Sequence, residues 1–177
     1  FVVPPATNGH TPSIESGLVR IWGMAAHPQK PWVALSGPRG EICIFDYRKQ
    51  ALVDSLKGFA GFMVGVDWRP QGDLLFVAGF LQGETMLVDL SKQRKPLIET
   101  GLTLSRNQTK LLPDGKRVAL SSDVTGRLMV ADFGKNEVIS TIDTPLNDLI
   151  YSHDWSPKGK LLAVAGIQTL LILDGQN

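Results

Sequence analysis

Apolar residues gather here into short, nearly continuous runs: WVALS (32–36), LLFVAG (74–79), RVALSS (117–122) and LLAVAG (161–166). None has the three-and-four spacing of an amphipathic helix, and Gly or Pro interrupts every segment. β-Branched and aromatic residues in such runs predict strands. A strand with one wet face alternates apolar and polar positions, so continuous runs predict strands covered on both faces. Further runs follow each of these: EICIFD, TMLVDL, LMVAD and TLLILD, then ALVDSL, PLIET and EVISTI.

The runs recur with a fixed cadence. Four prolines share one local pattern, AHPQKPW at Pro28, WRPQGDL at Pro70, LLPDGKR at Pro113 and WSPKGKL at Pro157, separated by 42, 43 and 44 residues. An Asp closes a later run in each unit, Asp46, Asp89, Asp132 and Asp174, at offsets of 18, 19, 19 and 17 from the prolines. Pro-x-Gly in three units is turn chemistry, Pro presetting φ and Gly accepting a positive φ. The first unit has Gln29, Lys30 and Pro31 instead. Gly40, Gly83 and Gly126 mark the next loop, and the fourth unit lacks that glycine. Four short strands in about 40–45 residues is the arithmetic of a propeller blade.

The units resemble WD-repeat blades over residues 18–174, an all-β, four-stranded antiparallel propeller pattern. The third unit is also similar to blades of the YVTN type. The first, with HPQKPW and the ending FDY, resembles coatomer-type or ciliary and axonemal blades. The resemblance implies about four blades within a larger ring, read as 18–60, 61–102, 103–145 and an incomplete 146–177, with residues 1–17 as an N-terminal segment. FVVPP at residues 1–5 is a candidate closing strand. Alternatively, further chain or a second subunit completes the ring. The start at Phe1 and the stop inside a unit are expected of a fragment. The family's Trp–Asp pair survives only as Phe45–Asp46, Val88–Asp89, Ala131–Asp132 and Leu173–Asp174, and its Gly–His is absent. The four Asp are therefore expected to cap the turn after the third strand through backbone N–H groups.

Charge narrows the partners. With 18 Lys+Arg against 17 Asp+Glu the chain carries +1, which argues against nucleic acid or an anionic membrane. Apolar residues at 43% and charged residues at 20% suit a folded chain. Cys43 is the sole cysteine, so neither an internal disulfide nor a cysteine-based zinc site can be built, and EICIFD predicts a buried thiol. No run approaches the length of a membrane span, and FVVPPATNGH lacks the features of a signal peptide.

The candidates for chemistry are few. His10, His27 and His153 lack a matching carboxylate cluster, so no metal or cofactor is expected. Asp67 and Asp154 share one unit position, where Ala25 and Lys110 stand in the other units; the mixture predicts no ring of like charge. Trp68 and Trp155 are expected between blades. The basic runs SKQRK and YRK read as solvated turns, and Asn107–Gln108–Thr109 is a glycosylation acceptor only in a secreted chain. The loop residues Arg39, Phe59, Phe62, Leu81 and Arg106 have the chemistry of interface anchors. The expected function is a non-catalytic scaffold binding other proteins in a cytoplasmic or cytoskeletal assembly. The alternative is a propeller domain of a quinoprotein or haem-type oxidoreductase or electron-transfer subunit.

Overall fold

The computed structural model describes residues 18, 20–57, 62–80, 85–90, 96–99, 109–121, 126–132, 134–135, 137–146 and 150–175. Strands β1 (Gly23–Ala26), β2 (Trp32–Gly37), β3 (Glu41–Asp46) and β4 (Ala51–Leu56) form an antiparallel sheet in chain order. A second sheet contains β5 (Phe62–Trp68), β6 (Leu74–Phe80), β7 (Thr85–Asp89) and β8 (Pro96–Glu99). The third has β9 (Thr109–Leu111), β10 (Arg117–Ser121), β11 (Arg127–Asp132) and β12 (Glu137–Asp143). The last has β13 (Ser152–Trp155), β14 (Leu161–Ala165) and β15 (Leu170–Asp174), with no fourth strand among the described residues.

The Pro-x-Gly steps make three matching turns. Gly72 N donates to Arg69 O at 2.7 Å, Gly115 N to Leu112 O at 2.8 Å and Gly159 N to Ser156 O at 2.8 Å. Each Pro takes the second turn position, and each Gly the fourth, at φ +75°, +66° and +66°. Without that glycine the first unit recruits a side chain: His27 Nδ1 accepts from Gln29 N and Lys30 N, both at 3.0 Å.

The sheets pack face to face in chain order. β5 packs against β1 and β2, β9 against β5, and β13 against β9. The first strands thus lie side by side as an inner wall, with β4 and β12 at the rim. Alternation along a strand sends neighbours to opposite seams. Leu75 and Val77 join Ile42, Ile44 and Trp68 in the first seam, whereas Leu74, Phe76 and Ala78 join Leu111, Val118 and Leu120 in the second. Ala119, Leu128 and Val130 meet Trp155, Leu162 and Val164 in the third. This is why LLFVAG is apolar throughout. Each large side chain so buried contributes about 1.5–3 kcal/mol; Phe76→Ala is the change best placed to open a seam, at about 3–5 kcal/mol.

Two rim strands carry a β-bulge at matching places. The β3–β4 register shifts between Ile44 and Phe45, leaving Val53 unopposed, and the β11–β12 register shifts between Val130 and Ala131, leaving Ile139 unopposed. The β14–β15 ladder runs without a shift from Leu161↔Asp174 to Ala165↔Leu170. It closes through the four residues Gly166 to Thr169, where Gly166 N donates to Thr169 O at 2.9 Å.

Candidate functional site

The polar groups with most chemical potential lie along the seams. His27 Nδ1 accepts two backbone N–H groups, so Nε2 carries the proton and donates to Gly72 O at 3.1 Å in the next sheet. Burial holds its pKa below the usual histidine value, and the nearby Lys30 ammonium adds to this. That ammonium lies 4.1 Å from the Trp32 ring centroid. His153 is 2% exposed, its Nε2 is 3.2 Å from Ala119 O across the third seam, and burial pushes its pKa down to about 4. Both histidines join neighbouring sheets. Among the described residues no group of three or more His, Cys, Asp or Glu is gathered as metal ligands; His10 lies outside them.

Asp67 sits in the second seam, where its Oδ2 accepts from Leu111 N of the next sheet at 2.9 Å. It also accepts from Trp68 N. Burial raises its pKa, while those N–H groups and Lys110 act the other way. Sequence reasoning placed Asp67 and Asp154 at one unit position without finding this role. The outward-pointing N–H next to a turn proline was the missed signal. Trp68 Nε1 donates to Ala25 O at 3.2 Å, again across a seam.

The aspartates after the third strands divide by context. Asp46 is buried, and its Oδ1 accepts from Arg48 N and Lys49 N, both at 2.9 Å. Asp132 Oδ1 accepts from Gly134 N at 2.7 Å and Lys135 N at 3.2 Å. These are Asx turns. Asp89 is buried and Asp174 exposed at the ends of β7 and β15. Cys43 is buried, which pushes its thiol pKa up, with Glu41 contributing.

Of the expected interface anchors, Arg39 is exposed at the β2–β3 turn beside Gly40, whose φ is +65°. Phe62 is corrected from loop to strand: it opens β5, paired with Phe80, because a β-preferring Phe-Met-Val run extends the ladder past the turn. Phe59, Leu81 and Arg106 lie outside the described residues, as do residues 1–5 and the SKQRK run. Two concavities accompany the seams. An open groove of about 400 Å³ runs over the third seam beside Pro113, Asp114, Arg117 and Lys158. A pocket of about 120 Å³ lies on the inner wall between Trp22, Met24, Gly65 and Thr109.

No protein-family model matches the chain, and no curated protein matches it either. Among solved structures, a chain of Kuenenia stuttgartiensis hydrazine synthase is similar, with a TM-score of 0.75 and 17% identity. The likeness covers 96% of this chain and 49% of that one, so this chain spans about half that neighbour's length. With four meander sheets stacked face to face and their first strands side by side, the architecture is decided. This is a β-propeller fold. In all, 1270 solved chains match it, so the fold by itself selects no activity. Among the described residues no helix is long and apolar enough to cross a membrane.

Proposed function

We propose that this propeller portion is a non-catalytic scaffold, WD-like in its blades, that presents loops to other proteins within a cytoplasmic assembly. One observation carries the reading: among the described residues, both histidines and several aspartates are committed to the frame. His27, His153, Asp67, Asp46 and Asp132 each hold a turn or a neighbouring sheet. Sheets locked this way keep the loops between strands in fixed geometry, so a partner binds with little ordering cost. Arg39 is the described loop residue best suited to anchor one. The test is stoichiometric co-purification of partners with the protein from its native source. Arg39→Glu should deplete a bound partner without lowering the melting temperature; an unchanged partner set counts against the reading.

The likeness to hydrazine synthase, an enzyme by its name, favours a second reading: a propeller domain of a cofactor-containing oxidoreductase or electron-transfer subunit. Its ligands would have to come from residues other than the framework histidines. A visible absorption band in the native protein would establish this reading and end the first.

A further inference from the structure

The first strands of three neighbouring sheets share one hollow. Trp22 to Met24 at the start of β1, Gly65 and Val66 in β5, and Thr109 and Lys110 in β9 enclose about 120 Å³ on the inner wall. The hollow has a cause in the sequence. Gly23 and Gly65 stand five residues before Pro28 and Pro70, so two adjacent strands lack a side chain at one level. The β5–β6 register also shifts between Met63 and Gly65, and such a bulge bends and twists the strand that carries it. A side chain at Gly65 has no room, because a Cβ there would collide with Thr109 Oγ1.

Two polar groups at this hollow are not spent on the frame. Thr109 is 3% exposed, and its Oγ1 has no hydrogen-bond partner among the described residues. The hydroxyl stands over the bare backbone of Gly65, which lines the same pocket. At the same unit position His153 reaches Ala119 O across its seam, while Met24 and Val66 are apolar. A valine would serve the packing equally well, and an unsatisfied buried hydroxyl weakens a fold, so the frame gives no reason for Thr109. Lys110 is half-buried, and among the described residues its ammonium makes no ion pair. Asp67 lies close enough to feel that charge, but its carboxylate is held by Leu111 N and Trp68 N and does not line the pocket. Lys110 is thus the one charged group among the described residues that line it. Trp22 and Met24, 37% and 70% exposed, add a flat ring and a polarizable thioether.

We infer that this pocket binds a small monocarboxylate with a short apolar or flat body. The carboxylate pairs with the Lys110 ammonium and accepts from the Thr109 hydroxyl, and the body lies against Trp22 and Met24. One ammonium balances one negative charge, which favours a carboxylate over a phosphate dianion. A cavity of roughly 150 Å³ takes up a benzene ring, so this space suits a group of that order. Arg39 does not line the pocket, and the inference is independent of what the loops bind.

Titrating sodium benzoate into the full 177-residue chain at constant ionic strength, followed by nuclear magnetic resonance, tests it. Benzamidine, a cation of the same shape, is the control. The amide signals of Gly65, Thr109 and Lys110 should shift saturably with benzoate, with a dissociation constant of about 1 mM, the scale of so small a ligand. Benzamidine should leave them in place. Lys110→Met should raise the constant about tenfold or more, the scale of a lost charged hydrogen bond. Thr109→Val should raise it about threefold and also raise the melting temperature, because the fold loses an unsatisfied hydroxyl. A Thr109 that served packing alone would leave the benzoate shifts untouched. If Lys110→Met does not fold, Thr109→Val and the benzamidine contrast decide the matter. The absence of a saturable shift up to about 50 mM benzoate overturns the inference, as does equal binding of benzamidine. Benzoate binding unmoved by both substitutions overturns it equally.

Discussion

Gly72 lies directly beneath the imidazole of His27, 45 positions earlier: the ring donates to its carbonyl, and a Cβ there would stand 2.6 Å from ring carbon Cε1. Two demands meet at this glycine, a φ of +75° and an empty place for the ring. Gly159 meets the first demand alone, since its Cβ would lie 3.5 Å from Pro113, an ordinary contact. Gly159→Ala should therefore cost about 1 kcal/mol, the strain of a left-handed alanine. Gly72→Ala should cost about 2–3 kcal/mol, because the ring must also move. At about 2–4 °C per kcal/mol for a chain of this size, thermal melting separates the two. Equal losses would show that the ring does not need that space.

The two seam tryptophans should respond differently to losing the indole N–H. Trp68 Nε1 donates to Ala25 O, whereas the buried Trp155 Nε1 has no partner among the described residues. Trp68→Phe removes a buried hydrogen bond that Trp155→Phe does not, and should cost about 1 kcal/mol more. Denaturant unfolding followed by circular dichroism measures this without relying on indole fluorescence. A larger loss for Trp155→Phe would contradict the assigned bond.

Asp46→Ala should destabilise by about 1–2 kcal/mol, since Arg48 N and Lys49 N lose one buried acceptor. Asp46→Asn, which keeps a side-chain oxygen, should recover most of that loss. A melting temperature unchanged in Asp46→Ala would remove the Asx turn from the account of stability.

Acid should weaken the fold through His153. The unfolded chain takes up a proton near pH 6.5, while the folded one waits until about pH 4 because burial disfavours the charged ring. The unfolded state therefore binds more protons between these values, and stability falls as pH falls through that window, by about 3 kcal/mol below pH 4. Asp67 opposes this: burial raises its folded pKa, so its protonation favours the fold at the acid end. His153→Gln should flatten the decline between pH 6.5 and 4. An unaltered pH profile would mean that the ring is charged in the fold.

Much of this architecture was legible in the residues themselves. Four prolines and four aspartates at matched offsets gave the number of sheets, and the runs LLFVAG and LLAVAG announced strands covered on both faces. Pro70, Pro113 and Pro157 with their glycines located three turns that the structure builds alike. The seam chemistry was harder to see, since it depends on direction: whether Asp67 faces a neighbour's N–H is settled by the pleat and by the sheet beside it. Phe62 was misplaced for a related reason, its side-chain type fitting an interface loop as well as a strand. Of the candidate surface residues Arg39 and Phe62 are among the described ones, and of these two Arg39 keeps the loop position expected of it, because chemistry that suits a partner leaves no periodic trace.

The bulges on the rim bear on how this protein fails. An unopposed Val53 in β4 and Ile139 in β12 break the regular spacing of those edges and increase their twist, so that a foreign strand cannot zip along them. β15 has no such interruption. Removing Val53 would restore the regular spacing of the β4 edge, and heated preparations of that variant should aggregate sooner than those of the parent chain.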